Sequence, residues 1–130
     1  MVLAILSLLV AGTVPLVAPM VARAKAGEAP TMLEAIAHAE LRHYRDTGSY
    51  IECAPAGEVP RASPAPFPEA ACWQRLGIVP SGAVRYRYGV ALVGDSFVAS
   101  AAGDLDGDGT PSAYSMDGRT LSLTATDPLE

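Results

Sequence analysis

Three aspartates at alternate positions, Asp104, Asp106 and Asp108, are the residues of this sequence best suited to a chemical role. Residues 104–109 fit the first six positions of a D-x-D-x-D-G calcium loop, in which alternate carboxylates converge on one cation. The two glycines of the motif allow the tight turn that this convergence needs. Three carboxylates held so close repel one another unless a cation or water lies among them. The sequence therefore predicts a calcium site.

This loop differs from an EF-hand in two respects. Ser115 occupies the position of the usual bidentate glutamate, and the residues before Asp104 have the pattern of a strand rather than a helix. Asp95 and Asp117 are further carboxylates that we consider as additional calcium ligands. The alternative interpretation is a solvated acidic β-turn, in which the glycines serve only the backbone conformation.

Two short motifs resemble catalytic sequences, but neither has the partners that its chemistry needs. Residues 106–110 match the D-x-D-G-T motif of haloacid-dehalogenase-type phosphatases, which requires a following domain with a lysine. Only 20 residues follow this motif, and the last lysine is Lys25. Residues 94–96 resemble a serine-esterase motif, but no histidine after His43 is present to act as a base. We therefore predict no catalytic residues, no small-molecule substrate and no enzymatic activity.

The net charge of −5 is concentrated in the C-terminal third. From Asp95 to Glu130 the sequence has seven acidic residues and one basic residue, Arg119. An acidic surface of this kind repels phosphate backbones, so we expect no nucleic-acid partner.

Cys53 and Cys72 are the only cysteines. Neither belongs to a C-x-x-C motif, and no histidine is spaced to complete a zinc site. Outside the cytoplasm a disulfide between them is the expected state, and it would stabilise the fold by ~3 kcal/mol on the chain-entropy model. Two separate buried thiols are the alternative.

The elements that position these residues begin with an apolar segment, residues 1–22, which has no charged side chain. As a helix it would be ~33 Å long, about the thickness of the hydrocarbon core of a bilayer. Pro15 and Pro19 would kink or loosen such a helix. A cleavable signal peptide is the alternative, although no basic residue precedes the apolar run.

An amphipathic helix is predicted to continue from this segment over residues 23–47. Thr31 is expected to cap part of it with Glu34 three residues later, and Gly48 is expected to end it in a left-handed conformation. The apolar positions recur at helical spacing, and they are Leu33, Ile36, Ala37, Leu41 and Tyr44.

Beyond this helix, residues 48–82 form a proline-rich connection, in which Trp73 is expected to be a buried anchor. Residues 83–130 are predicted to form an antiparallel sheet that carries the Asp-rich loop. The alternation of apolar and polar residues indicates four strands, which are Val84 to Leu92, Phe97 to Ala101, Ser112 to Met116 and Thr120 to Thr126. The predicted fold class is α+β, with a long N-terminal helix packed on a four-stranded antiparallel sheet.

The order of these motifs resembles type IV pilins and the pseudopilins of type II secretion. Residues 22–29 match the A-R-A-K-x-x-E-A run of that family, after an apolar half with a kinking proline. Residues 44–50 match its Y-x-x-x-G-x-Y stretch. The resemblance covers about the first 50 residues. It implies one long helix with the sheet packed on its second half, and a calcium-binding loop in the C-terminal region.

The family carries a basic leader that ends in glycine, followed by an aromatic residue and a glutamate. Met1 lies just past the position of these features. Either the true start of translation lies upstream, which we expect, or this subunit is not processed and assembled in the usual way. An apolar segment without a basic flank is poorly oriented by the positive-inside rule, which favours the upstream start.

The function implied by the resemblance is that of a structural subunit of a type IV pilus or pseudopilus. We expect a single pass through the inner membrane, a periplasmic or extracellular C-terminal domain, and other pilin or pseudopilin subunits as partners. The assembly surface would be the apolar helix, at Leu3, Leu6, Leu9, Val10, Val14, Pro15 and Val17. The alternative is a secreted calcium-binding module with a cleaved signal peptide, and a third reading is a membrane-anchored periplasmic adaptor.

Overall fold

The computed structural model describes residues 25–126, which form two helices and a four-stranded antiparallel sheet. The helices are α1 (Glu28–Thr47) and α2 (Ala71–Leu76), and the strands are β1 (Arg87–Val93), β2 (Ser96–Gly103), β3 (Ser112–Asp117) and β4 (Leu123–Thr126). The strands lie in the order β1-β2-β3-β4, so neighbouring strands also follow one another in the chain. α1 packs against β2, β3 and α2.

The prediction of a long N-terminal helix, and with it the predicted fold class, was wrong. α1 begins at Glu28 and contains 20 residues, and a turn at Gly27 separates it from the helical residues 25–26. Glycine lowers the stability of a helix interior, and Pro30 has no N–H to donate, which only the first turn of a helix tolerates. Both residues therefore favour a helix that starts here.

The predicted cap at the start of α1 was also wrong. Thr31 lies inside the helix, where its Oγ1 donates to the carbonyl of Gly27 at 3.0 Å. The N-cap residue is Gly27, which provides no side-chain cap. The end of the helix was predicted correctly, because Gly48 takes a φ of 81° and its N–H donates to the carbonyl of Tyr44 at 2.7 Å.

The buried face of α1 contains Leu33, Ile36 and Ala37, as the helical spacing predicts. Tyr44, which the same spacing placed with them, is 47% exposed. Its ring stacks on Tyr50 at 4.6 Å, after the chain has reversed direction. The helix therefore leaves the core before its last turn.

Two strands are shorter than their alternation pattern predicted. Val84 makes an isolated antiparallel bridge with Ala65, and its N–H donates to the carbonyl of Ala65 at 2.8 Å, before β1 starts at Arg87. β4 starts at Leu123 rather than at Thr120, because the hairpin that follows β3 occupies residues 118–122. Within that hairpin Leu121 takes a φ of 55°, which breaks the extended conformation.

The proline-rich connection is fastened to the sheet at several points. Cys53 and Cys72 form a disulfide with their Cα atoms 5.6 Å apart, and Cys53 also exchanges two backbone hydrogen bonds with Val90 on the outer edge of β1. Trp73 is 2% exposed and lies against Phe67, so the prediction of a buried anchor is confirmed. The disulfide thus helps to keep the proline-rich connection over the outer edge of β1.

Candidate metal centre

The Asp loop, residues 104–110, connects β2 to β3 at the end of the sheet where β1 begins. The pairing of Arg87 with Ala102 and of Gly103 with Ser112 places it there. Its glycines, at positions 107 and 109, take φ angles of 74° and 93°. Side chains with a Cβ rarely adopt this left-handed conformation, so these two positions require glycine for the turn to close.

Asp104 is the centre of the loop and is 2% exposed. Its Oδ1 accepts a hydrogen bond from the N–H of Gly107 at 3.0 Å, and its Oδ2 accepts one from the N–H of Gly109 at 2.9 Å. Its backbone is fixed as well, because its N–H donates to the carbonyl of Pro60 and its carbonyl accepts from the N–H of Ala62. Asp104 therefore joins the loop to the proline-rich connection.

Asp106 and Asp108 are exposed and shape the outer part of the loop. Oδ1 of Asp106 accepts from the N–H of Asp108 at 3.1 Å, and Oδ1 of Asp108 accepts from the N–H of Thr110 at 2.8 Å. A carboxylate has two oxygens, so each side chain can hold its turn and still present an oxygen to a ligand. One oxygen from each of the three aspartates lies within 4.8 Å of the others.

The pKa values of two carboxyls in the loop, Asp104 and Asp106, are shifted in opposite directions. Burial disfavours the charge on Asp104, but hydrogen bonds from Gly109, Asp106 and Gly107 and the charge of Arg61 together hold its pKa below the usual value. The hydrogen bond from the N–H of Asp108 favours ionised Asp106, yet partial loss of hydration and the two neighbouring carboxyls raise the pKa of Asp106. The three carboxyls of the loop thus carry more negative charge than the guanidinium of Arg61 beside them neutralises.

The donor set fits a hard cation. Three carboxylates supply oxygen ligands only, which calcium and magnesium prefer, and calcium takes about six to eight oxygens, the remainder from carbonyls and water. Asp106 and Asp108 lie on the solvent side, where water can complete such a shell. Ser115 lies within β3, where it pairs with Ser100, so the place of the usual glutamate is part of the sheet.

Asp95 and Asp117, considered as additional ligands, lie at the other end of the sheet. Asp95 is in the turn between β1 and β2, where it forms an ion pair with Arg119. Oδ1 of Asp117 accepts a hydrogen bond from the N–H of Arg119 at 2.7 Å. β2 has eight residues and separates Asp95 from Asp104 by its whole length, which is ~25 Å for a strand of that size. The structure therefore does not bring these two residues to the Asp loop.

The predicted assembly residues, Leu3, Leu6, Leu9, Val10, Val14, Pro15 and Val17, and the whole apolar segment lie outside the described residues. Within residues 25–126, no helix combines the length and the apolar composition that crossing a membrane requires.

Sequence reasoning missed two residues that matter for the loop and the helix. Arg61 lies with its Nε 3.5 Å from Oδ2 of Asp104, and it is the basic residue that faces the cluster. Glu28 accepts hydrogen bonds from the N–H of Arg85 at 2.9 Å and from the hydroxyl of Tyr88 at 3.0 Å. Neither contact has a signal in the sequence, because each joins segments that are far apart in the chain.

Comparison with known proteins gives no relative from which to transfer a function. Models of protein families, curated proteins and solved structures were all compared with this chain, and no match is found. What the chain does is therefore inferred from its own residues and their geometry.

Proposed function

We propose that this chain is a pilin-like structural subunit, which assembles through its apolar N-terminal segment and presents the domain of residues 25–126 on the outside. The observation that carries this proposal is the firm attachment of the start of α1 to the rest of the domain. α1 starts at Glu28, with residues 23–27 between it and the apolar segment, and Glu28 accepts hydrogen bonds from Tyr88 in β1 and from the N–H of Arg85 just before β1. A subunit held in a polymer by one end needs a firm connection between that end and its domain.

The arrangement of the domain supports the same proposal. A helix that follows the apolar segment lies on an antiparallel sheet, and a disulfide closes the connection between them. Disulfides persist in oxidising compartments, which agrees with a domain outside the cytoplasm. The motif order of residues 22–29 and 44–50 adds the resemblance to pilins and pseudopilins. The start of α1 at Glu28 departs from the one long helix that this resemblance implies, so the proposal depends on the motif order, the packing of α1 on the sheet and the disulfide.

In this function the partners are other pilin or pseudopilin subunits, and the inner membrane holds the subunit before assembly. Apolar segments that leave lipid for one another gain close side-chain packing rather than hydrophobic burial, since the lipid is as apolar as the partner. The domain then contributes the outer surface, and it carries out no chemical step.

Cysteine cross-linking tests the assembly. Leu6→Cys and Leu9→Cys, introduced separately into the full chain and oxidised in the native membrane, are expected to produce covalent dimers. The matched control is Thr124→Cys on the exposed strand β4, which is expected to remain monomeric under the same conditions. Monomers alone from both apolar variants would refute the proposal.

A second candidate is a secreted calcium-binding module, which the convergence of three carboxylate oxygens within 4.8 Å favours. N-terminal sequencing distinguishes the two candidates. A mature chain that begins near Lys25 would support cleavage of a signal peptide and the secreted module, whereas an intact apolar segment would support the pilin-like subunit.

We propose calcium as the ligand of the Asp loop in either case, and its test is independent of assembly. Removal of calcium with EGTA is expected to lower the melting temperature of the full chain. Asp106→Ala is expected to abolish that response, whereas the control Asp46→Ala, on the exposed end of α1, is expected to retain it. A melting curve of the unsubstituted chain that EGTA leaves unchanged would reject bound calcium.

A further inference from the structure

Glu40 is a carboxylic acid in the core of the domain. It lies on the buried face of α1, and its exposed fraction is 0%. Acidic side chains are almost never buried to this extent unless a basic group or several hydrogen bonds compensate them, because a charge loses its hydration in the interior. The contacts of Glu40 therefore decide whether its carboxyl is protonated or ionised.

Those contacts are sparse. Oε2 of Glu40 accepts a hydrogen bond from the N–H of Ile51 at 2.9 Å. Among residues 25–126, Oε1 has no hydrogen-bond partner, and no basic side chain forms an ion pair with the group. An ionised Glu40 would be an uncompensated buried charge, whereas the neutral acid leaves only one hydroxyl without an acceptor. Burial accordingly raises the pKa of Glu40, and the hydrogen bond from Ile51 offsets only part of this effect.

The elements packed around Glu40 offer few titratable groups. β2 has no titratable side chain, and α2 contributes only Arg75. β3 contributes Tyr114 and Asp117, and the segment of residues 49–53 contributes Tyr50 and Glu52. On α1 itself, His43 and Tyr44 are one turn from Glu40. The charged residues of the other elements, Arg75, Asp117 and Glu52, are exposed. None of these groups forms an ion pair with Glu40 within the described part of the chain. The protonation of Glu40 is thus governed by its own burial.

The single hydrogen bond of Glu40 connects two parts of the chain that are 11 residues apart. After Gly48 the chain reverses, and residues 49–53 run back along α1 towards the edge of β1. Tyr50 lies between the rings of Tyr44 and Phe97, and Cys53 pairs with Val90. Glu40 binds the middle of this segment.

We propose that Glu40 is a pH-sensitive clasp, which allows residues 49–53 to close over α1 while its carboxyl is neutral and favours their opening when it ionises, because the lost hydration of the buried charge costs more than the stronger hydrogen bond from Ile51 returns. An ionised carboxylate requires water, and movement of Ile51, which covers Oε2 of Glu40, away from the helix would admit it. The opening is local, because the disulfide and the pairing of Cys53 with Val90 retain the rest of the segment. This inference is independent of the proposed assembly and of calcium.

The direction of the pH effect follows from proton linkage. The folded chain holds the proton of Glu40 to a higher pH than the unfolded chain, for which the ordinary value is 4.5. Between these two values the folded state binds more protons, so the contribution of Glu40 to stability falls as the pH rises. Above the raised value the loss is complete and constant.

Two measurements on the full chain in a zwitterionic detergent test the clasp. In an NMR titration of the unsubstituted chain, the side-chain carboxyl carbon of Glu40 is expected to titrate above 4.5, and the amide of Ile51 is expected to shift with the same midpoint. In thermal unfolding, Glu40→Gln is expected to raise the melting temperature relative to the unsubstituted chain by about 5 °C at pH 8 and to lose this advantage at pH 4.

The matched control is Glu34→Gln, the same change on the exposed face of α1, for which no such pH-dependent difference is expected. A midpoint of Glu40 at or below 4.5, or an Ile51 amide that does not follow it, would overturn the proposal. So would a melting-temperature difference between Glu40→Gln and the unsubstituted chain that is the same at pH 4 and pH 8. The NMR titration needs no variant, so it decides the matter even if a substitution impairs folding.

Discussion

Arg61 and Asp104 form an ion pair across two segments that the sequence separates by more than 40 positions, with Nε of Arg61 3.5 Å from Oδ2 of Asp104. The side chain of Arg61 is 67% exposed, whereas that of Asp104 is 3% exposed. An exposed cation on the proline-rich connection thus faces a buried carboxylate of the Asp loop. Any calcium bound to this loop shares its first carboxylate with Arg61.

This relationship predicts that removal of Arg61 strengthens calcium binding. Arg61→Ala is expected to lower the dissociation constant for calcium about two- to fivefold, a modest effect because an exposed guanidinium is screened by water. Isothermal titration with calcium measures it. Arg119→Ala, which removes the other exposed arginine ion pair at the far end of the sheet, is expected to leave the constant unchanged. Equal constants for Arg61→Ala and the unsubstituted chain would contradict the prediction.

The joint at the start of α1 predicts a loss of stability when Glu28 is truncated. Glu28→Ala leaves the N–H of Arg85 and the hydroxyl of Tyr88 without their acceptor, which should reduce the free energy of unfolding by about 2 kcal/mol. Urea denaturation measures this change. Glu28→Gln keeps one oxygen acceptor and should lose less, and Glu34→Ala on the exposed face should lose little. A Glu28→Ala variant as stable as Glu34→Ala would contradict the role of the joint.

The disulfide between Cys53 and Cys72 predicts that reduction lowers the stability of the fold. Dithiothreitol is expected to reduce the free energy of unfolding by about 3 kcal/mol, as the chain-entropy model gives for a loop of this size, because Cys53 and Cys72 are 19 residues apart. Urea denaturation with and without the reductant measures the difference. The variant with both Cys53→Ser and Cys72→Ser supplies the control, since its stability should be low and indifferent to dithiothreitol.

Gly103, at the end of β2, lies so close to Arg85 and Tyr86 that a larger side chain at this position is predicted to destabilise the fold. A Cβ at this position would lie 2.5 Å from the carbonyl oxygen of Arg85 and 2.7 Å from the ring of Tyr86. Gly103→Ala should therefore lose about 2 kcal/mol of stability, because a backbone atom has to move. Ser100→Ala on the same strand is the control, and its denaturation midpoint should stay close to that of the unsubstituted chain. An equally small change for Gly103→Ala would show that the strand yields there.

Several features of this protein could be predicted from the sequence because they arise from neighbouring residues. The burial of Leu33, Ile36 and Ala37 follows from helical spacing, and the stop at Gly48 follows from the freedom of glycine to take a positive φ. The convergence of the three loop aspartates is equally local. Their alternate spacing in a glycine-bearing turn predicts that their oxygens converge, and the structure places them within 4.8 Å of one another.

The start of α1 was predicted wrongly although its signals are local. Apolar and amphipathic spacing continues through Gly27 and Pro30, so periodicity alone does not indicate a helix start at Glu28, whereas the cost of glycine and proline in a helix interior does. The lengths of β1 and β4 were overestimated for a related reason. Alternation does not show where a strand pairs: Val84 is buried but lies before β1, and Leu121 is 43% exposed in the hairpin before β4.

The amino-acid sequence by itself determined the local pieces of this protein: the apolar segment, the buried face of the helix, the alternating strands and the turn that collects three aspartates. Only the tertiary structure decided which distant groups meet. The strand register placed Asp95 and Asp117 far from the Asp loop, and the path of the connection brought Arg61 to Asp104 and Ile51 to Glu40. Such contacts depend on how whole elements pack, because covalent neighbours fix a residue's conformation but not its partners across the fold.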